Sequence, residues 1–129
     1  MQANRRLFLD EAVKLERLMA DLTTIRTRHD AERGKALVSL RRQMSAEVSA
    51  IAGVVRPMLD KRDYAAQSTF SGLYSTLLTR LALHQANWSA VRLAAADATD
   101  DDDYQRSAFT VDEANLALIR WLREAASNY

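Results

Sequence analysis

Apolar residues along the first half of the chain recur at helical spacing. Phe8, Leu15, Leu18, Leu22, Ile25 and His29 fall on one stripe of three- and four-residue steps, interrupted only by Glu11. That stripe predicts a first helix over about residues 4–28. A second stripe, Leu37, Leu40, Met44, Val48, Ile51 and Val55, predicts a helix over 31–55, but its register is offset from the first by one residue. The lone Gly34 lies where the register changes, so the chain either reverses there or continues as one long kinked helix. Reversal is the reading adopted, because a single rod from Asn4 to Val55 would be roughly 78 Å long and would need a second copy to cover it.

Pro57 disfavours helical geometry at Arg56 and should stop the second helix near Val55. Asp60 and Asp63 then offer caps for a third helix over 61–96, whose stripe is Phe70, Leu73, Leu77, Leu81, His84, Trp88, Val91 and Ala95. The acidic run Asp100–Asp103 suits the N-terminus of a fourth helix over 103–126, where the backbone dipole favours negative charge. It lacks the ligand spacing, central Gly and terminal Glu of a calcium loop. Thr110-Val-Asp-Glu113 also has the form of a capping box, which would start that helix later and leave 103–108 as a separate turn. Four amphipathic helices with short connections specify an all-α fold, an antiparallel four-helix bundle, in a single domain over residues 1–129.

Composition reinforces the helical reading, since the 129 residues include three Gly, one Pro and no Cys. Without Cys, disulfide frameworks, zinc fingers, iron–sulfur clusters and thiol nucleophiles all drop out. The start, with Arg5 and Arg6 cut off by Asp10 and Glu11, carries no secretion signal, and no uncharged stretch reaches spanning length, so a cytoplasmic location is expected. The net charge of +1 conceals an asymmetry. Residues 1–62 carry +5 and residues 63–129 carry −4. Helices that complement one another explain this most simply. A functional alternative is a basic face for nucleic acid or an acidic partner, fed by Arg26, Arg28, Arg33, Lys35, Arg41 and Arg42, but acids are interleaved and nucleic acid is not the expected partner.

His29 and His84 are the residues with the most chemical scope. A di-iron bundle draws on Glu-x-x-His pairs, and the chain has none. Two seam histidines could ligate one metal or a haem only if the fold brought them together, and a hydrogen-bonded core histidine is the simpler reading. A phosphotransfer histidine must be exposed, whereas Leu81 and Trp88 flank His84 on an apolar face. No nucleophile elbow or phosphate loop is present. No catalytic residue, metal ligand or cofactor is therefore assigned. Ser68, Gly72 and Thr76, with the parallel row Ser71, Ser75 and Thr79, suggest a tight helix crossing or room for a small ligand.

What remains is a non-catalytic, bacterial-type interaction bundle acting as an adaptor, chaperone or regulator, homodimeric through helices 1 and 2. Candidate ligand or partner contacts are His84, Trp88, Arg80, Trp121, Arg120 and Arg123, with Tyr129 as a further aromatic anchor. The alternative is a small-molecule, metal or haem sensor centred on His84 and Trp88.

Overall fold

The computed structural model describes residues 2–95 and 97–128. The chain is all-helical, with no strand among the described residues. Four long helices, α1 (Gln2–Arg26), α2 (Arg33–Met58), α3 (Tyr64–Asn87) and α5 (Asp102–Ala126), are accompanied by the one-turn α4 (Ala90–Leu93) and a 3-10 turn, Ala98–Asp100. α1 packs along α2 and α5, and α3 packs along α5 and, less extensively, α2.

The apolar stripes supply a shared core. Phe8, Leu15 and Leu22 of α1, Leu37, Met44, Val48, Ile51 and Val55 of α2, Phe70, Leu77 and Leu81 of α3, and Val111, Leu118 and Leu122 of α5 are all buried. Together with Trp88 and Leu93 they form one contiguous cluster.

Local chemistry explains most helix ends. Residues 27–32 leave helical geometry: Asp30 accepts from the Glu32 amide and holds Arg28, which makes the turn. α1 and α2 then lie against each other, so the long rod entertained from the sequence does not form. Asp63 caps α3 by accepting from the Ala66 amide, as its position predicted. Asp101 caps α5 by accepting from the amides of Asp103 and Tyr104, and Asp102 and Asp103 occupy the first turn.

Four expectations are corrected. α2 does not stop at Val55 but carries Pro57 in its last turn, because the Leu59 amide still reaches the Val55 carbonyl and only one donor is lost. The third helix is not continuous over 61–96. It ends at Asn87, Ser89 caps the separate α4, and the register restarts, which leaves Val91 84% exposed although it fitted the stripe. Its expected end, Ala96, lies outside the described residues. Thr110 caps nothing; it sits inside α5 with its hydroxyl on the Ser107 carbonyl. His29 is not on a seam but exposed in the α1–α2 loop, because α1 ends one turn before it.

Gly34 serves a close approach rather than the turn itself. It has negative φ, and a Cβ placed there would lie 2.9 Å from the Leu93 carbonyl oxygen. Its missing side chain lets the backbone of α4 settle directly on α2.

Candidate functional site

The third helix brings His84 and Trp88 to one polar cluster, whose hub is a residue the sequence reading passed over. Tyr104, buried in the first turns of α5, packs against the His84 ring at 5.4 Å and meets Trp88 edge-on at 5.2 Å. His84 is 4% exposed, and its Nδ1 lies 2.7 Å from the Ser107 hydroxyl. Burial, and then the positive charges of Arg41 and Arg26, push its pKa down to about 4. The ring is therefore a neutral, hydrogen-bonded core group at physiological pH. It does not offer the exposed nitrogen that phosphotransfer needs.

Arginines from the first two helices converge on the same end. Arg26 donates to Asp112 at 3.0 Å, Arg33 to the carbonyls of Arg28 and Ala95, and Arg41 to the carbonyl of Trp88. Arg92 lies over the Trp88 ring, 4.0 Å from its centroid. Of the six basic residues read as a possible basic face, Arg33 and Arg41 thus turn inward to tie the connection between α3 and α5, Arg26 pairs with Asp112 of α5, and Arg28 is held by Asp30. Lys35 and Arg42 remain exposed. A tract able to neutralise a run of phosphates is not assembled.

The other candidate contacts are scattered. Arg80 bridges the α3–α5 seam, donating to the Thr110 carbonyl with Glu113 3.9 Å away. Trp121 is partly buried between Phe8 and Phe70, Arg123 pairs with Glu16 of α1, and Arg120 is exposed. Tyr129 lies outside the described residues. His29 and His84 are not brought together, one being exposed in a loop and the other buried on α3. Among the described residues no group of three or more His, Asp or Glu is placed to hold a metal.

A cavity of about 510 Å³ opens between the end of α1 and the start of α5, lined in part by Arg26, His29, Tyr104, Gln105, Phe109 and Asp112. Its size falls within the range of small-molecule pockets. A separate carboxylate pair lies between α1 and α2, Glu11 buried and Glu47 partly buried, with Lys14 3.2 Å from Glu11. Burial, then the neighbouring Glu11 carboxyl, raise the Glu47 pKa to about 7, with Lys14 opposing. The interruption that Glu11 makes in the first stripe was the visible sign of this pair.

The small-residue rows of α3 face outward. Ser68, Ser71, Gly72, Ser75, Thr76 and Thr79 are exposed, as are Ala82, Leu83 and Ala86 beyond them. A Cβ at Gly72 would meet nothing within 4 Å, so neither a helix crossing nor an internal ligand space lies there. Arg80, 38% exposed, borders this face where it turns towards Thr110 and Glu113, and is the only Asp, Glu, Lys or Arg between Tyr64 and Asn87, whereas the exposed faces of α1 and α5 carry Arg5, Asp10, Arg17, Arg106, Arg120 and Glu124. No helix among the described residues is long and apolar enough to cross a membrane. No protein-family model, curated protein or solved structure matches this chain.

Proposed function

We propose that the protein is a non-catalytic interaction module, a single-domain antiparallel four-helix bundle that pairs with a second copy through the outer face of α3. The bundle reading is supported by cross-helix contacts whose numbering runs in opposite directions. Arg80 meets Thr110 and His84 meets Ser107 across α3 and α5, while Arg41 meets Trp88 and Arg56 meets Tyr74 across α2 and α3.

The observation that carries the functional reading is the uncharged outer face of α3. A solvated helix face usually carries charge, and this one offers Ser, Thr, Gly and Ala with Leu78 and Leu83 at its margins. Small side chains let two helices approach closely, and a neutral face meets its own copy without like-charge repulsion. An interface through helices 1 and 2 has less support, since α2 has no large exposed apolar residue and the exposed Leu7 and Val13 of α1 share its surface with Arg5, Asp10 and Arg17.

Light scattering at micromolar concentration tests this. The chain should have the mass of a dimer, and Ser75→Glu with Ala82→Glu should return it to a monomer with unchanged helicity. A monomeric parent, or a variant that stays dimeric, would overturn the assignment.

A second reading, small-molecule binding, is favoured by the cavity beside Tyr104. It differs from the sensor read from the sequence, because His84 stands behind Tyr104 and does not line that cavity. Ligand-dependent shifts in the amide resonances of Gln105 and Phe109, without any change in mass, would select it over self-association.

A further inference from the structure

We infer that the groove between α2 and α4 is a docking site for an acidic amphipathic helix of another protein. This goes beyond self-association and stands whether or not the α3 faces pair. The groove, about 400 Å³, is lined by Ala31, Gly34, Val38, Ala90 and Ala94, with Lys35, Ser39 and Arg42 beside them. It owes its shape to Gly34, which brings the backbone of α4 down onto α2 and leaves a shallow notch with an apolar floor. Val91, on the same short turn as Ala90 and Ala94, is 84% exposed, the highest value among the large apolar residues described. An apolar floor with such a neighbour is what an incoming apolar stripe would cover.

The charge at the rim selects the occupant. Lys35 and Arg42 are seven residues apart on α2, so they lie on one face, about 10.5 Å apart along the helix axis. Both are exposed, and neither makes an ion pair among the described residues, while Arg26 and Arg28 are each matched to an Asp. No acid lines the groove. Two free cations two turns apart beside an aliphatic floor match a helix whose Leu or Ile stripe is flanked by Glu or Asp at the same spacing. A basic partner would meet repulsion, and a neutral apolar one would leave the cations without a role.

The probe is a synthetic helical peptide with a Leu stripe flanked by Glu, titrated into the full chain and followed by amide NMR. Shifts should concentrate at Ala31, Gly34, Val38, Ala90 and Ala94. Lys35→Glu combined with Arg42→Glu should weaken binding at least about tenfold, the ordinary scale for losing two complementary rim charges. Because both residues are exposed, the double variant should keep its helicity; Val38→Asp provides an independent block at the floor. The same peptide with Lys in place of Glu should bind more weakly than the acidic one and should gain affinity for the charge-reversed variant. Equal binding of the two peptides, or shifts outside the groove, would overturn the inference. So would groove shifts that appear with protein concentration alone, which would assign the site to a second copy, or with anionic vesicles but not with the peptide, which would assign it to a lipid surface.

Discussion

Replacing Glu47 by Gln should make the stability of this protein less sensitive to pH. Glu47 retains its proton up to about pH 7 in place of 4.5, because burial and the adjacent Glu11 carboxyl both oppose its ionisation. Between those values the folded chain binds more protons than the unfolded chain. Stability from this group is therefore fully present below about pH 4.5, declines as pH rises, and is lost above about pH 7. A change from 4.5 to about 7 corresponds to roughly 3 kcal/mol in the absence of screening, at about 1.36 kcal/mol for each tenfold change in proton affinity. Glu47 is only partly buried, so water screens the pair and the expected effect is about 1–2 kcal/mol. The amide has a similar shape, cannot ionise and can donate to Glu11. Urea unfolding followed by circular dichroism at about pH 5 and about pH 8 measures the difference. The parent should lose about 1–2 kcal/mol more than Glu47→Gln between the two conditions, and the variant should be the more stable at the higher pH. An equal decline in both proteins, or a variant weaker than the parent at about pH 8, would refute the carboxylate-pair account.

Leu22→Ala and Leu77→Ala each remove a fully or almost fully buried side chain and should cost about 2–5 kcal/mol in the same assay. Gly34→Ala should destabilise by about 1–3 kcal/mol, since the new methyl would press on the backbone of α4. Gly53→Ala, where a Cβ meets open space within α2, should instead stabilise by about 0.5–1 kcal/mol. The His84 imidazole should remain neutral in NMR titration until the pH approaches about 4. Because that value lies below the ordinary 6.5, the stability linked to the neutral ring is present above the ordinary value and lost as pH falls towards about 4.

Much of the fold was legible because helical period is a local property. The stripes of α1 and α2 named core residues, His29 excepted, and Asp63 and Asp101 marked helix starts through their own hydrogen bonds. The break after Asn87 was missed because the stripe continues through Trp88 and Val91, and nothing in apolar spacing distinguishes a continuous helix from one that ends and restarts at Ser89. Gly34 was noticed, but its cause lies some sixty residues away in α4, beyond the reach of any local rule.

The candidate chemistry was less legible for the same reason. A row of small residues reads the same whether it faces a neighbour or water, and only the position of α3 decides. Charge asymmetry points to helices that complement one another but does not say which arginines do so, and Arg26, Arg33 and Arg41 turn inward to partners distant in sequence. Tyr104 gave no sign of its contacts with His84 and Trp88, which exist only once α5 lies along α3.

The inward arginines also bear on how the molecule assembles. Among its described residues, the connection from Trp88 to Asp101 holds one turn of α-helix and one of 3-10 helix, and several of its ties run to positions far back in the chain. Arg41 reaches the Trp88 carbonyl across 47 residues, Arg33 reaches that of Ala95 across 62, and the Thr99 hydroxyl reaches the Arg26 carbonyl across 73. Contacts of such long sequence separation carry a loop-closure cost that must be met before they contribute anything. The hairpin of α1 and α2, whose partners are close in sequence, carries a smaller closure cost, whereas the connection has local bonds such as the Ser89 cap but takes its place on the bundle through the distant ones. The α2–α4 groove, built from two segments some sixty residues apart, therefore depends on contacts that the first half of the chain makes with the second.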